Sequence, residues 1–336
     1  MIMLVSYAKK RVIPVVLAGV FFMGGMQQVH SASVTGSGAG SVERQSAVRV
    51  GPMQVLMTGR LGIGYLNGES TELVYNTDGS KASELTWTLE NVIMMNAGFS
   101  VQPKAWLKLN ADIWVAVNDG DNTMDDYDWR YTGTDWSDWS HHEDVPLDSG
   151  LMFDINLETP FYAARGTTFS AILGIKHETW SWDSYGGTYH YSSFGFRDTK
   201  GSFDADELGI SYEQRWTSPY IGAGFVSNLN YWNFSGRIIY SPFVQGEDED
   251  THHMRDLYFE EDFDNTSMWG ADFSATYLFS NTISLTGQLK YQTYDEAQGS
   301  TTATDLVTGL TYDFDGDAAG ADNESFLLSL ILLYHF

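Results

Sequence analysis

The stretch WGADFSATYLF, residues 269–279, alternates between apolar side chains and small or polar ones. Because successive side chains of a strand point to opposite faces, this alternation predicts a β-strand with one apolar face. Aromatic residues near both ends of an apolar face are typical of strands that cross a membrane. The residues of the apolar face are Trp269, Ala271, Phe273, Ala275, Tyr277 and Phe279, and the intervening polar or small residues are Gly270, Asp272, Ser274 and Thr276.

Three further stretches repeat the pattern: LKLNADIWVAV (107–117), ISLTGQLKYQ (283–292) and SFLLSLILLYHF (325–336). Aromatic residues make up 15% of the chain, which is expected if they form girdles at two membrane interfaces. A secreted β-sandwich is the alternative reading of alternating strands, but it does not need such girdles. The pattern therefore favours a transmembrane β-barrel.

The predicted connections between strands alternate between short and long. Ten strands joined by nine connections account for the whole alternating region. An even number of strands returns both ends of the barrel to the periplasmic side, so the five long connections are expected outside the cell. The predicted fold is thus all-β, a ten-stranded antiparallel transmembrane β-barrel with long extracellular loops. The short connections lie near residues 101–105, 162–166, 227–231 and 279–283, and the long ones near 66–84, 118–149, 183–205, 245–268 and 293–324.

The first residues have the pattern of an export signal. Lys9, Lys10 and Arg11 precede an apolar run that ends at about Met26, and small residues follow at 31–33. This pattern predicts a secretory signal peptide over residues 1–32, which is removed after export. We expect an N-terminal segment over residues 33–51 and the barrel over residues 52–336, located in the bacterial outer membrane.

Composition limits the partners of the chain. The sequence has no cysteine, so neither disulfides nor thiolate-bound metals are expected. Its formal net charge is −26, and removing the cationic signal would make it more negative. Nucleic acid is excluded as a partner because both surfaces would be anionic. Cationic peptides or proteins are the complementary ligands.

Two acidic runs in the predicted outer loops contain candidate catalytic groups. Asp126 and Asp128 are two residues apart in NTMDDYDWR, and Asp250 and His252 are two apart in GEDEDTHHMRD. On extended backbone each pair can point its side chains into one cleft. Four strands separate the runs, so they are expected on opposite sides of the barrel mouth. A histidine held by a carboxylate suits a general base, and activated water would be its nucleophile.

Metal binding is the other reading of these acidic segments, and we expect no metal site. DFDGDAAGADNE (313–324) has the acidic spacing of a calcium loop, but Ala318 stands where such a loop needs glycine. His141 and His142 are adjacent, so on extended chain they point to opposite faces and are more simply read as part of a solvated loop.

From about residue 60 to Phe336 the chain resembles the omptins, a family of outer-membrane proteases of Gram-negative bacteria. The matching stretches include STELVYNTDGSKASELTW, MDDYDW, SDWSHHED, GGTYHYSSFGFRDTKGSF, YEQRWTSPYIG and DEDTHH. The resemblance implies an omptin-like ten-stranded barrel with an extracellular active site, in which an Asp pair and a His-Asp pair bind the attacking water. Matched onto this sequence, the catalytic residues are Asp126, Asp128, Asp250 and His252.

The resemblance also implies a substrate specificity. Two acidic residues bind the basic side chain that precedes the cleaved bond, the P1 residue, and the motifs match them to Glu72 and Asp248. The family's acidic P1′ subsite matches at Asp138, whereas the second expected acid is replaced by Met152. Cleavage after Arg or Lys with a relaxed P1′ preference is therefore expected.

The same resemblance implies that activity requires lipopolysaccharide bound on the barrel exterior, with no other cofactor. Arg215 matches one basic residue of that lipid site. Thr179 replaces the arginine expected on the fifth strand, and His177 replaces a nearby carboxylate, so the lipid site looks altered.

Three functions remain open on sequence grounds. An endopeptidase that cuts exposed polypeptides after basic residues is the leading reading. A catalytically inert adhesin or receptor for cationic partners is the alternative, because acidic loops can bind without cutting. A general porin is the weakest, since a ten-stranded lumen is narrow and would be filled by polar side chains such as Lys108, Asp112 and Lys290.

Overall fold

The computed structural model of the chain describes residues 55–131 and 135–336. The predicted signal peptide and N-terminal segment lie outside these described residues. Within them, the structure is almost entirely antiparallel β-sheet, with a single 3₁₀ turn at His253–Arg255. The same residues contain no helix of the length and apolar character that crossing a membrane requires. The strands are β1 Leu56–Tyr75, β2 Lys81–Lys104, β3 Leu107–Ala116, β4 Met124–Asp128, β5 Asp138–His142, β6 Leu147–Ala164, β7 Thr167–Tyr185, β8 Thr188–Tyr191, β9 Thr199–Ser202, β10 Leu208–Leu229, β11 Trp232–His252, β12 Leu257–Phe263, β13 Thr266–Leu278, β14 Ile283–Asp305 and β15 Thr311–His335.

Ten of these strands close into a ring, which confirms the predicted fold. The ring runs in the order β1, β2, β3, β6, β7, β10, β11, β13, β14 and β15, and β15 pairs back onto β1. Closure leaves no unpaired edge in the ring, so every backbone group there can be satisfied without water.

The two ends of the barrel differ in their connections. At one end the strands are joined by tight turns, such as Arg165–Gly166 and the turn containing Asn230, where positive φ angles reverse the chain in two residues. At the opposite end, which we call the hairpin end, the strands run on beyond the ring. This alternation agrees with the predicted short and long connections.

The long connections contain additional β-strands. The β1–β2 hairpin closes over residues 76–80 only, because both strands continue outward. β4 pairs with β2, and β5, β8 and β9 add to it in turn, while β12 lies between β11 and β14. Backbone groups that leave the ring still need partners, and this added sheet supplies them.

The outer face of the ring carries the apolar rows that the sequence predicted. Phe326, Leu328, Leu330, Leu332 and Tyr334 of β15 are all exposed on this face. Trp269 and Phe273 are exposed in the same way on β13, while Ser274 is buried. These rows form a band suited to lipid around the middle of the barrel. The hairpin end extends beyond it.

The lumen of the ring is filled by paired polar side chains. The Arg237 guanidinium donates to Asp272 Oδ2 at 2.6 Å, and Arg60 donates to Asp112 Oδ1 at 2.9 Å. Lys176 Nζ lies 2.8 Å from Glu178 Oε1. A pocket of about 240 Å³ lies among these side chains, and ion pairs across the lumen are unfavourable to the porin reading.

Candidate active site

A cavity of about 1300 Å³ opens at the hairpin end, and both acidic runs contribute to it. Asp126 and Asp128 line it from β4, and Asp250 and His252 line it from the end of β11. The two runs are far apart in the sequence, but closure of the barrel brings them to one cleft. All four predicted catalytic residues therefore share a single cavity.

The position of the Asp pair follows from the pairing of β4 with β2. In this register Asp126 lies opposite Leu85 and Asp128 lies opposite Ser83. The two aspartates are two residues apart on a strand, so both side chains point to the cavity. The Ser83 hydroxyl donates to Asp126 Oδ1 at 3.3 Å, which orients the carboxyl.

The Asp pair holds a proton more strongly than isolated aspartates do. Burial and the nearby charge of Asp128 raise the pKa of Asp126 from 3.8 to about 8, and the positive charge of Arg255 partly opposes this rise. Burial also raises the pKa of Asp128. Near neutral pH the pair therefore retains a proton part of the time, because two neighbouring carboxyls cannot both ionise freely.

Asp250 orients His252. The Nε2 atom of His252 lies 2.8 Å from Asp250 Oδ2, so Nε2 carries the proton and donates it to the carboxylate. Asp250 is only 4% exposed, and the His252 ring packs edge-on against Phe259. The other ring nitrogen, Nδ1, contacts the Arg255 guanidinium.

The neighbouring His253 is turned away from the cavity. It is not among the residues that line the cavity, and its Nε2 lies 2.8 Å from the Ser211 hydroxyl on β10. His252 ends β11 whereas His253 begins the 3₁₀ turn, and of the two only His252 lines the cavity.

The predicted P1 acids lie at the floor of the same cavity. Glu72 lines the cavity and is 3% exposed, whereas Asp248 lies beneath the lining and is 2% exposed. The Tyr212 hydroxyl donates to Asp248 Oδ2 at 2.9 Å and holds it in place. Burial and the surrounding carboxylates raise the pKa of Glu72, and burial with Glu261 raises the pKa of Asp248.

Glu261 lines the cavity together with Glu72, although the sequence patterns did not predict it as a site residue. It lies on β12 directly opposite Asp248 of β11. The alternation in LYFEEDF puts Phe259 and Glu261 on one face of a strand. This alternation is the sequence feature that could have predicted a buried Glu261. The pattern alone did not reveal that this face borders the cleft, because β12 was expected to be loop.

Neither residue matched to the P1′ subsite offers a free side chain to the cavity. Asp138 lines the cavity, but it forms a two-point ion pair with Arg130, in which Nε donates to Oδ2 at 2.7 Å. Its Oδ1 also accepts the backbone N–H of Ser192 at 3.0 Å. Met152 is 3% exposed and packs in the apolar core with Trp114, away from the cavity lining.

Arg215 lies on the outer face of β10, where two carboxylates bind its guanidinium. Its Nε donates to Glu213 Oε1 at 2.5 Å and its Nη2 donates to Glu249 Oε1 at 2.7 Å. Thr179 and His177 face it across β7, and His177 Nδ1 is 2.9 Å from the Thr217 hydroxyl. Two carboxylates on one guanidinium make this position less favourable to an anionic lipid headgroup than an unpaired arginine would be.

An aromatic layer lies directly beneath the cavity and separates it from the polar lumen. Tyr212 stacks on Trp87 with ring centroids 5.2 Å apart and on Trp182 at 5.9 Å. Both tryptophans and Tyr212 are almost fully buried. A buried aromatic layer beneath the carboxyls lowers the local dielectric constant, which strengthens electrostatic interactions at the cavity floor.

Comparisons with known proteins agree with this architecture. The family model described as the omptin family matches residues 54–336. The plasminogen activator of Yersinia pestis is 30% identical over 275 residues, covering 81% of this chain and 87% of that protein. The outer membrane protease OmpP of Escherichia coli K12 is 28% identical over 283 residues, covering 82% and 89%.

The fold is also that of a solved structure. The crystal structure of the outer membrane protease OmpT from Escherichia coli superposes with a TM-score of 0.79 at 24% identity, over 84% of this chain and 97% of that chain. Family match and relatives together cover the whole ring and the hairpin end, so this chain belongs to the omptin family of bacterial outer-membrane proteases.

Proposed function

We propose that this outer-membrane endopeptidase faces the outside of the cell and cleaves exposed polypeptides after Arg or Lys, with a relaxed preference at P1′. Water activated between the Asp pair and the His-Asp pair would be the nucleophile. The observation that carries the proposal is the shared cavity, which has Asp126 and Asp128 on one side and Asp250 and His252 on the other.

The chemistry follows from the hydrogen bonds of His252. Its Nε2 proton is held by Asp250, so Nδ1 is the nitrogen that can accept a proton from water. Arg255 must give up its contact with Nδ1 before water can occupy that position. The water oxygen then bonds to the scissile carbonyl carbon while its proton passes to Nδ1, and Asp250 stabilises the imidazolium.

The Asp pair completes the reaction on the other side of the substrate. A carboxyl that keeps its proton near neutral pH can donate a hydrogen bond, and its ionised partner can accept one from the water. When the C–N bond breaks, the imidazolium returns its proton to the leaving amine. Hydrolysis therefore needs no redox partner.

The cavity floor supports a cationic P1 side chain. Glu72 and Asp248 are both buried without a Lys or Arg partner among the described residues. A buried carboxylate without a counter-ion is costly, so a guanidinium or ammonium that enters the pocket relieves that cost.

A peptidase assay tests the proposal. The mature chain is refolded in detergent micelles, with and without lipopolysaccharide, and given quenched fluorescent peptides that contain one Arg-Val, Lys-Val or Gln-Val junction. We expect cleavage after Arg and Lys only, with the new amino terminus verified by mass spectrometry. Binding of the Arg peptide without any cleavage would instead support the inert receptor.

A further inference from the structure

We infer that Glu261 is a third carboxylate of the P1 pocket and that, with Glu72, it forms the surface that receives the guanidinium of an arginine side chain. This inference rests on the proposed function and deepens it. In this arrangement Asp248 lies behind the other two acids and contributes to the negative electrostatic potential of the pocket.

The register of β11 and β12 puts Glu261 in this position. It is the direct cross-strand partner of Asp248, and Phe259 is the partner of Asp250. Glu261 is 6% exposed and lines the cavity with Glu72, whereas Asp248 does not reach the lining. An incoming side chain would therefore meet Glu72 and Glu261 first.

The pocket acids also carry oxygen atoms that have no partner. Glu72 Oε2, Asp248 Oδ1 and Glu261 Oε2 are each buried without a hydrogen bond. Buried polar atoms are nearly always satisfied in folded proteins, so several unsatisfied acceptors around one cavity indicate a missing donor. None of these three acids makes an ion pair with Lys or Arg in the part of the chain that the structure describes.

The positions of the open acceptors favour one cationic group over the other. A guanidinium has five N–H donors in a planar fork, while an ammonium has three on one nitrogen. Glu72 Oε2 and Glu261 Oε2 lie on two different strands and suit the wider fork better, while Asp248 behind them adds negative charge. We therefore expect the pocket to bind guanidinium more tightly than ammonium, and Glu261 to be the source of much of that difference.

Protonation of the pocket gives the inference a second readout. Burial raises the pKa of Glu261 to about 7, and the pKa values of Glu72 and Asp248 are raised as well. The empty pocket therefore retains protons near neutral pH, and a bound cation favours their release. Binding should be accompanied by proton release at pH 6.5, and less so once Glu261 is replaced.

The test measures binding apart from catalysis. The full-length barrel in detergent micelles is titrated calorimetrically with n-butylguanidinium and with n-pentylammonium, which have no scissile bond, in two buffers of different ionisation enthalpy. The test variant is Glu261→Gln. The matched control is Glu260→Gln, because Glu260 is exposed on the other face of the same strand. Folding is verified by the heat-dependent mobility of the barrel in electrophoresis.

We expect Glu261→Gln to weaken n-butylguanidinium binding by about 10-fold or more, to reduce the preference for guanidinium and to lower the proton release. Glu260→Gln should stay within about twofold of the natural protein. If Glu261→Gln fails to fold, Glu261→Asp replaces it, and a weakening of about threefold or more is expected from the shorter side chain.

The outcomes separate this inference from the proposed function. A folded Glu261→Gln barrel that binds both cations as the control does would overturn the inference, as would a natural protein that binds neither. If the natural protein cleaves peptides after Arg and Glu261→Gln does so equally well, the inference fails while the function stands. If binding depends on Glu261 but no peptide is cleaved, the inference stands and the function fails.

Discussion

Arg130 forms an ion pair with Asp138 at the cavity wall. A basic P1′ side chain of a substrate was expected to bind to this carboxylate. The contact is bidentate, with Nε donating to Oδ2 at 2.7 Å, and it lowers the pKa of Asp138. Asp138, the acid matched to P1′, is thus already neutralised by another side chain of the same protein. This pairing supports the proposed relaxed preference at P1′, to which Met152, packed in the core, does not contribute.

We expect Arg130→Ala to move the P1′ preference towards basic residues. Without its guanidinium partner, the buried Asp138 carboxylate would favour a substrate cation, and cleavage at Arg-Arg relative to Arg-Val should rise about fivefold or more. The ratio of kcat/KM for the two peptides measures the effect. Arg165→Ala, at the tight-turn end of the barrel, is the control and should leave the ratio unchanged. An unchanged ratio in Arg130→Ala would mean that Asp138 does not contact the P1′ side chain.

His252→Ala, Asp126→Asn and Asp128→Asn should each lower kcat by about 100-fold to 10,000-fold, the usual contribution of acid and base groups. The barrel should stay folded, since these side chains lie in the cavity and leave the ring of backbone hydrogen bonds intact. His253→Ala is the matched control because His253 contacts Ser211 outside the cavity. Near-normal turnover in His252→Ala would refute its assignment as the base.

Stability should decrease as pH rises through the range in which the buried acids ionise. The pKa of Asp126 is raised from 3.8 to about 8, so between these values the folded state keeps a proton that the unfolded state has released. The stabilisation is complete below about pH 4 and is lost as pH approaches 8. The half-unfolding temperature in micelles, at one heating rate, should fall between pH 6 and 8.5.

Two variants test whether Asp126 causes this decrease in the half-unfolding temperature. Asp126→Asn should flatten the decrease, because asparagine cannot ionise, whereas Glu260→Gln on the exposed face of β12 should leave the slope as it is. A half-unfolding temperature that rises over this interval in the natural protein would contradict the raised pKa.

Met152→Glu should destabilise the barrel and leave P1′ preference alone. Met152 packs in the core, and its cross-strand partner on β7 is the buried Glu178, so a second carboxylate there would be unpaired and repelled. We expect a loss of several kcal/mol, seen as a lower yield of heat-modifiable, folded barrel. Met152→Leu is the volume-conserving control. A stable Met152→Glu barrel with restored Arg-Arg preference would place this residue at P1′ after all.

The requirement for lipopolysaccharide that the family resemblance implies can be tested at Arg215. Because Glu213 and Glu249 already hold its guanidinium, we expect lipopolysaccharide to change activity by less than about threefold. The double variant Glu213→Gln, Glu249→Gln frees the cation and should gain a response to the lipid. Strict dependence of the natural protein on lipopolysaccharide would show that a phosphate group binds despite these carboxylates.

The alternation in four stretches, 269–279 and 325–336 among them, predicted the barrel together with the aromatic content and the pattern of connections. Side-chain direction on a strand depends only on the position along the chain, so this pattern is visible in the sequence. Counting connections then placed Asp126, Asp128, Asp250 and His252 at one end, because parity needs no knowledge of register. The family motifs identified the same four residues independently.

Contacts across strands were beyond the reach of sequence patterns. Glu261 lines the cavity because β12 pairs with β11 in one particular register, and Arg130 meets Asp138 because a local hairpin folds β5 back onto β4. Met152 was matched to the cleft by its position in a motif, but in the closed ring its side chain packs in the apolar core. Register, closure and ion pairing depend on the free energy of the whole sheet, so only the tertiary structure decides which charges remain open to a substrate.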